Sequence, residues 1–260
     1  DSVQWNLHYE MTFEYLERCN YSGAESSVEK SLKEAIKILD SLKIIKSLRV
    51  KAYILGQTGR LTEQITLLKQ LLPIMLKKDF RSDYLLAINN LANSFIYTGH
   101  YDEALRYHFQ SLEFCKKFGN NRDVSISLHN IGLVYFKMRS FHKAIRFAKE
   151  SMALQDFSAQ PEPRKFYVLS KLNLGLYYLS LNDLTRARSQ IDSAQLICKG
   201  LCLEANGEHL YFAMGTLSMA GNHVGEARKY FYKSLSLAKM KRDIRMQIDV
   251  VYNISDAFSL

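Results

Sequence analysis

Three stretches decide the fold: NNLANSFIYTGHYDEAL at 89–105, HNIGLVYFKMRSFHKAI at 129–145 and LNLGLYYLSLNDLTRAR at 172–188. Each carries a small residue (Ala92, Gly132, Gly175), an aromatic three positions later (Phe95, Tyr135, Tyr178) and an alanine twelve positions later (Ala104, Ala144, Ala187). Outward from them, the small residue recurs at Thr12, Ala52, Gly215 and Ser255, in steps of 40 with one step of 43. The large residue recurs at Tyr15, Leu55 and Phe258, while the sixth copy departs with Ser218. Self-similarity at a fixed period marks a repeat array. Two helices that cross closely need a small side chain where their backbones approach, and a large one nearby to fill the space between pairs. Each copy therefore reads as a hairpin of a first helix, A, and a second helix, B, stacked on its neighbours.

The pattern predicts A helices near 4–19, 44–58, 81–98, 121–138, 164–181, 204–221 and 243–260, and B helices near 24–42, 61–78, 101–117, 141–156, 184–199 and 224–241. Turns such as Thr98-Gly99-His100 and Leu181-Asn182-Asp183 separate them, so Gly, Asn and Asp are expected at helix ends. The extra three residues fall at SAQPEPRK, 158–165, where Pro161 and Pro163 should interrupt the helix. Pro73 should kink or end its B helix, and Gln64 departs from the usual alanine. The expected organisation is one repeat domain over 1–260, with degenerate copies at 1–80, well-formed copies at 81–242 and half a copy at 243–260. The chain begins at Asp1, not Met, and its last half copy ends on apolar Phe258 and Leu260 where a cap should be polar, so a piece of a longer protein is expected.

The motif resembles the tetratricopeptide repeat (TPR) family, with its L-G/A-x-x-Y…G-x-Y-x-x-A pattern. The usual unit is about 34 residues; the period of 40 here is similar to the long-helix variety of kinesin light chain, LGN-type adaptors and bacterial peptide-sensing regulators. The resemblance implies an all-α, right-handed superhelical solenoid of about six and a half helix hairpins, binding protein or peptide in its concave groove.

Composition narrows the classes. No apolar run is long enough to span a bilayer; LLPIML at 71–76 is typical. The four cysteines show no zinc spacing, and Cys198 and Cys202 at i,i+4 would strain a helix if bridged. Free thiols favour a cytoplasmic location, with the bacterial periplasm as the alternative. The histidines are dispersed without HExxH, and phosphate-loop and nucleophile-elbow motifs are absent, so neither metal, cofactor nor enzymatic activity is expected. A net charge of +9 makes nucleic acid an alternative partner, although Lys30, Lys33, Lys143, Arg146, Lys229 and Lys233 fall among Glu and Ser as on a solvated outer face. Self-association through the final half copy is a third reading.

One series exceeds the needs of packing: Asn90, Asn130, Asn173 and Asn253, each two residues before the small position. Asparagine is a mediocre helix former. This position points about 200° from the small residue, toward the concave side, where an amide can hydrogen-bond an extended peptide backbone. In kinesin-light-chain-like and LGN-like arrays asparagines at this register do so, which the resemblance carries to these four positions. Asn93 and Tyr97, His129 and Lys137, and His209 join them as candidate peptide-binding residues, with Leu133, Leu172, Leu176, Phe212 and Thr216 alongside. The face suits a short peptide with an apolar anchor and an acidic group. The expected function is a non-catalytic binding scaffold or sensor, in the style of repeat regions joined to bacterial signalling or transcription-regulatory proteins.

Overall fold

The computed structural model describes residues 2–155, 161–198 and 202–258. Among them are thirteen α-helices and no strand. They are α1 (Ser2–Glu17), α2 (Tyr21–Lys37), α3 (Ser41–Gln57), α4 (Leu61–Lys77), α5 (Arg81–Tyr97), α6 (Tyr101–Phe118), α7 (Asn121–Lys137), α8 (Phe141–Ala153), α9 (Pro161–Leu179), α10 (Leu184–Ile197), α11 (Cys202–Ala220), α12 (Val224–Met240) and α13 (Ile244–Phe258). Every expected A and B helix is present, as odd- and even-numbered elements respectively. The chain divides into two compact units, residues 1–118 with α1–α6 and residues 119–260 with α7–α13. Within each, successive helices pack as hairpins, and A helices also touch A helices: α3 with α5, α9 with α11, α11 with α13.

The turns obey a stricter rule than composition suggested. A left-handed residue stands at Cys19, Leu39, Gly59, Asp79, Gly99, Arg139, Asn182, Asn222 and Arg242. At each, two main-chain bonds close the preceding helix; at one turn the Leu39 N–H donates to the Ile36 carbonyl and the Asp40 N–H to the Ala35 carbonyl, both at 3.1 Å. This is the Schellman closure. The next residue often caps the following helix: Asn20, Asp40, Asp183 and Asp243 each accept a backbone N–H of the first turn. Four of these turns use bulky residues where Gly, Asn or Asp was expected, because the paired main-chain bonds hold the conformation without them. Leu39, 83% exposed at φ 54°, packs on little while bearing the left-handed strain. Leu39→Gly should therefore raise stability by about 0.5–1 kcal/mol, the strain relief exceeding the extra backbone entropy. A urea midpoint checks this.

Two expectations from proline need correction. Pro73 does not end α4, which runs on through it to Lys77. Pro73 is exposed, so water can reach the Lys69 carbonyl that loses its partner. Pro161 opens α9 instead of interrupting it; at the first helical position its missing N–H costs nothing. Residues 158–160 of the inserted stretch lie outside the described residues. Cys198 and Cys202 are also not on one helix: Cys198 caps α10 and Cys202 begins α11.

The repeat's small residue packs against the residue sixteen positions later on its own B helix, and the pairs trade volume. A Cβ on Gly132 would meet the Ala144 carbonyl at 3.3 Å, beside Ala148; one on Gly175 would meet Ile191 at 2.8 Å; one on Gly215 would meet the Phe231 ring at 2.5 Å. Gln64 follows the same logic. It is buried where other copies have alanine, and Gly56 makes the room, since a Cβ there would lie 2.5 Å from the Gln64 amide. The amide oxygen accepts a hydrogen bond from Ser94 Oγ at 2.6 Å, so the polar group is satisfied.

Two side chains mark the first unit. Trp5, the chain's one tryptophan, is buried; its Nε1 donates to Ser47 Oγ at 3.0 Å and its ring stacks on Tyr9 at 4.5 Å. His108 is fully buried at the register where other copies place Val28, Leu68, Ala148, Ile191 and Phe231. Neither of its ring nitrogens has a hydrogen-bond partner, and burial pushes its pKa down to about 4.

Candidate functional site

In the second unit the A helices α7, α9, α11 and α13 line one groove of about 880 Å³. Its lining repeats with the array. Counting from the small residue, positions +1 (Leu133, Leu176, Thr216), +4 (Phe136, Leu179, Met219) and +5 (Lys137, Ser180, Ala220) all face it. The +1 and +5 residues lie about one helical turn apart on one flank of each A helix, roughly 100–140° round from the crossing with the B helix. Aromatic and aliphatic side chains form the floor; the Phe136 and Tyr177 rings stack across α7 and α9 at 4.7 Å.

Of the sequence candidates, His129, Lys137, Asn173, His209 and Asn253 line this groove together. Asn130 does not line it; it is half-buried on α7. Asn90, Asn93 and Tyr97 belong to α5 of the first unit, where the asparagines are half-buried and Tyr97 is exposed. Leu172, expected on the groove face, is instead in the core at 1% exposure. The asparagine register thus lies at the seam between A helices and not at the centre of the groove. At the same register copy six has Ala213, which is fully buried.

Asn173 shows what that seam does. Its Nδ2 donates to His129 Nε2 at 3.3 Å, and His129 Nδ1 lies 3.4 Å from Ser170 Oγ. Ser170 donates its own proton to the Phe166 carbonyl at 3.0 Å, so it accepts from the imidazole, which assigns the proton to Nδ1. Burial alone pushes the His129 pKa down to about 4, so the ring is neutral at pH 7. The bridge fixes the Asn173 carboxamide and leaves its oxygen and second N–H to the groove. In the first unit Arg49, at the His129 register, makes a related bridge, its Nε 2.7 Å from Asp83 Oδ1 on the next A helix.

Asn253 Nδ2 donates to the Asp249 carbonyl at 2.8 Å, one turn back on α13. His209 stands opposite this end of the groove. Burial holds its imidazole below its ordinary pKa, against the pull of the Glu208, Asp243 and Asp249 carboxylates. Glu208 itself is buried and paired with Lys241. With both histidines neutral, the groove carries one cation, Lys137 on α7, and one anion, Asp249 on α13. Among the described residues no His, Cys, Asp or Glu cluster can hold a metal ion, and no helix is long and apolar enough to cross a membrane. The signal that sequence reasoning missed is the +4 register, Phe136, Leu179 and Met219, which reads as core because it is apolar.

Comparison with known proteins agrees with this architecture. Residues 83–156 match the tetratricopeptide repeat family profile. No curated protein sequence matches the chain. Among solved structures, the apo form of RapI superposes with a TM-score of 0.72 at 11% identity, over 98% of this chain and 97% of that one. A Rap protein complexed with competence and sporulation factor gives 0.68 at 11% identity, over 99% and 75%. The apo quorum sensor NprR from B. thuringiensis gives 0.68 at 15% identity, over 94% and 68%. Residues 83–156 thus match the tetratricopeptide repeat, and the chain has a TPR-like, all-α helical-repeat fold.

Proposed function

We propose that the chain is a non-catalytic binding module whose second unit takes an extended peptide or protein segment in the groove between α7 and α13. The observation that supports it most is the groove itself: an apolar floor at repeat spacing, rimmed by the Asn173 and Asn253 amides, with Lys137 and Asp249 toward its two ends. Four A helices about 8–10 Å apart span roughly 24–30 Å, the length of about seven to nine extended residues. Amides can bond a ligand's backbone whatever its side chains, while Leu133, Leu176 and Phe212 select apolar anchors. A structural relative that holds competence and sporulation factor, and another that is a quorum sensor, favour a sensor role in a bacterial signalling or regulatory protein.

The test is calorimetric titration of the chain with a peptide selected by display. Asn173→Ala combined with Asn253→Ala removes two to three ligand hydrogen bonds, each worth about 0.5–1.5 kcal/mol. Dissociation constants should rise by roughly 5-fold to 1000-fold. Stability, read from the melting temperature, should fall only by what the lost Asn173–His129 bond accounts for, about 1–3 kcal/mol, a loss that Asn253→Ala alone should not show. Unchanged affinity together with lost stability would make these amides structural and move the binding site elsewhere.

A further inference from the structure

Charge is segregated between the two helix layers of the second unit. The B helices α8, α10 and α12 carry nine Lys and Arg against three Asp and Glu. The A helices α7, α9, α11 and α13 carry six of each. The groove layer is therefore neutral and the layer behind it strongly basic. This goes beyond what solubility requires, because the first unit, with sixteen basic and fourteen acidic residues, has almost no net charge.

Several of the basic side chains lie over aromatic rings. Lys143 Nζ sits 5.1 Å from the centre of the Tyr135 ring, and the Arg186 guanidinium 5.5 Å from that of Tyr178. These two pairs occupy the same register in consecutive copies. Lys149 covers Tyr178 from the preceding B helix at 5.8 Å, and Lys233 lies 5.4 Å from the Tyr211 ring. A ring face fixes an ammonium without taking its N–H donors. Among the described residues Lys143, Lys149, Lys229 and Lys233 are in no salt bridge, whereas Arg146 pairs with Glu150 at 3.7 Å and Arg186 with Asp183 at 3.0 Å. Large apolar side chains stand exposed on the same helices: Leu196 at 66% and Tyr232 at 52%, the latter one turn from Lys229 and next to Lys233.

We infer that the outer layer formed by α8, α10 and α12 is a second docking surface, and that it takes an acidic, amphipathic protein segment. Carboxylates of such a segment match the pinned cations, and its apolar residues cover Leu196 and Tyr232. A nucleic acid fits less well. Tyr178 and Phe147 are buried beneath the chain's own cations, which leaves Tyr232 as the exposed ring among those named on this face, whereas single-strand binding stacks successive bases on successive rings. A nucleic acid also has nothing to place against the exposed aliphatic Leu196.

The test uses the whole chain and two fluorescent probes in about 150 mM salt, where screening leaves only close pairs effective. One probe is a mixture of helical peptides of about sixteen residues, half of them Glu, with Leu and Phe on the opposite stripe. The other is single-stranded oligothymidylate of about twenty nucleotides. Combined Lys143→Glu, Lys149→Glu, Lys229→Glu and Lys233→Glu should weaken peptide binding at least about 10-fold, and the matching Lys→Gln set by less. Leu196→Ser with Tyr232→Ser should weaken the peptide by about 3-fold or more and leave the oligonucleotide unaffected. All these side chains are exposed, so circular dichroism and melting curves should be preserved. Asn173→Ala should leave peptide binding at this face unchanged, which separates it from the groove. Tighter binding of the oligonucleotide than the peptide, indifferent to Leu196 and Tyr232, would overturn the proposal in favour of nucleic acid. Absence of peptide binding, or binding insensitive to the charge reversals, would overturn it outright.

Discussion

Gly215→Leu should cost the second unit about 3 kcal/mol or more, with the loss read from urea denaturation followed by circular dichroism. A single added Cβ would already lie 2.5 Å from a carbon of the Phe231 ring, which is itself fully buried and has nowhere to turn. Phe231 belongs to the cluster that joins α12 to Met246 and Val250 of α13, so displacing it disturbs the next helix as well. The pairing also predicts a rescue. Phe231→Ala alone should cost about 3–5 kcal/mol through its cavity, yet Gly215→Leu with Phe231→Ala should cost clearly less than the two losses added, because one change fills what the other empties. Additive losses would show that the two positions do not trade volume. Gly132→Leu should be less forgiving of rescue, since its obstacle is the Ala144 backbone carbonyl. A surface change such as Lys149→Ala should stay within about 0.5 kcal/mol.

Acid should weaken the fold well before its carboxylates titrate. His108 and His129 are buried and neutral, with pKa values pushed down to about 4, whereas in the unfolded chain they return to about 6.5. Between these values the unfolded state binds a proton that the folded state refuses. The stability each neutral ring represents is therefore complete above about pH 6.5, falls as the pH is lowered and is gone near pH 4. Each contributes about 3 kcal/mol over that window. Plots of unfolding free energy against pH should show a slope near two protons around pH 5, and His108→Leu should reduce it to about one. At pH 7 the same substitution should stabilise by about 1–3 kcal/mol, because it removes two buried nitrogens without partners. A slope unchanged by His108→Leu would mean that this ring is protonated or solvated in the folded state.

The fold was legible because packing leaves a periodic record. Where A and B helices cross, volume is constrained on both sides, so small residues recur in steps of 40, with one step of 43 between Gly132 and Gly175, and every helix follows from them. The turns were less legible. Left-handed residues usually advertise themselves as glycine or asparagine, but Cys19, Leu39, Arg139 and Arg242 are held there by main-chain bonds that no side chain announces. The groove was read in part. Lys137, Asn173, His209 and Asn253 came together because one helical face repeats. Asn130 and Leu172 did not, because a residue two or three places before the crossing faces the adjoining A helix as much as open solvent. What occupies that seam depends on the neighbour's side chain, as His129 does on Ser170 and Asn173, and a single chain's periodicity carries no trace of such pairings. Nor does it show that the basic residues, dispersed along the sequence, collect in one layer once alternate helices are sorted to opposite sides.

The position of Trp5 has a spectroscopic consequence. It is held between Ser47 and Tyr9, so its emission follows α1 and α3 only, whereas far-ultraviolet ellipticity follows every helix. The chain thus contains its own local reporter. Melting observed by the two signals separates fraying of the first hairpins from loss of the remaining repeats, without a label or an engineered probe.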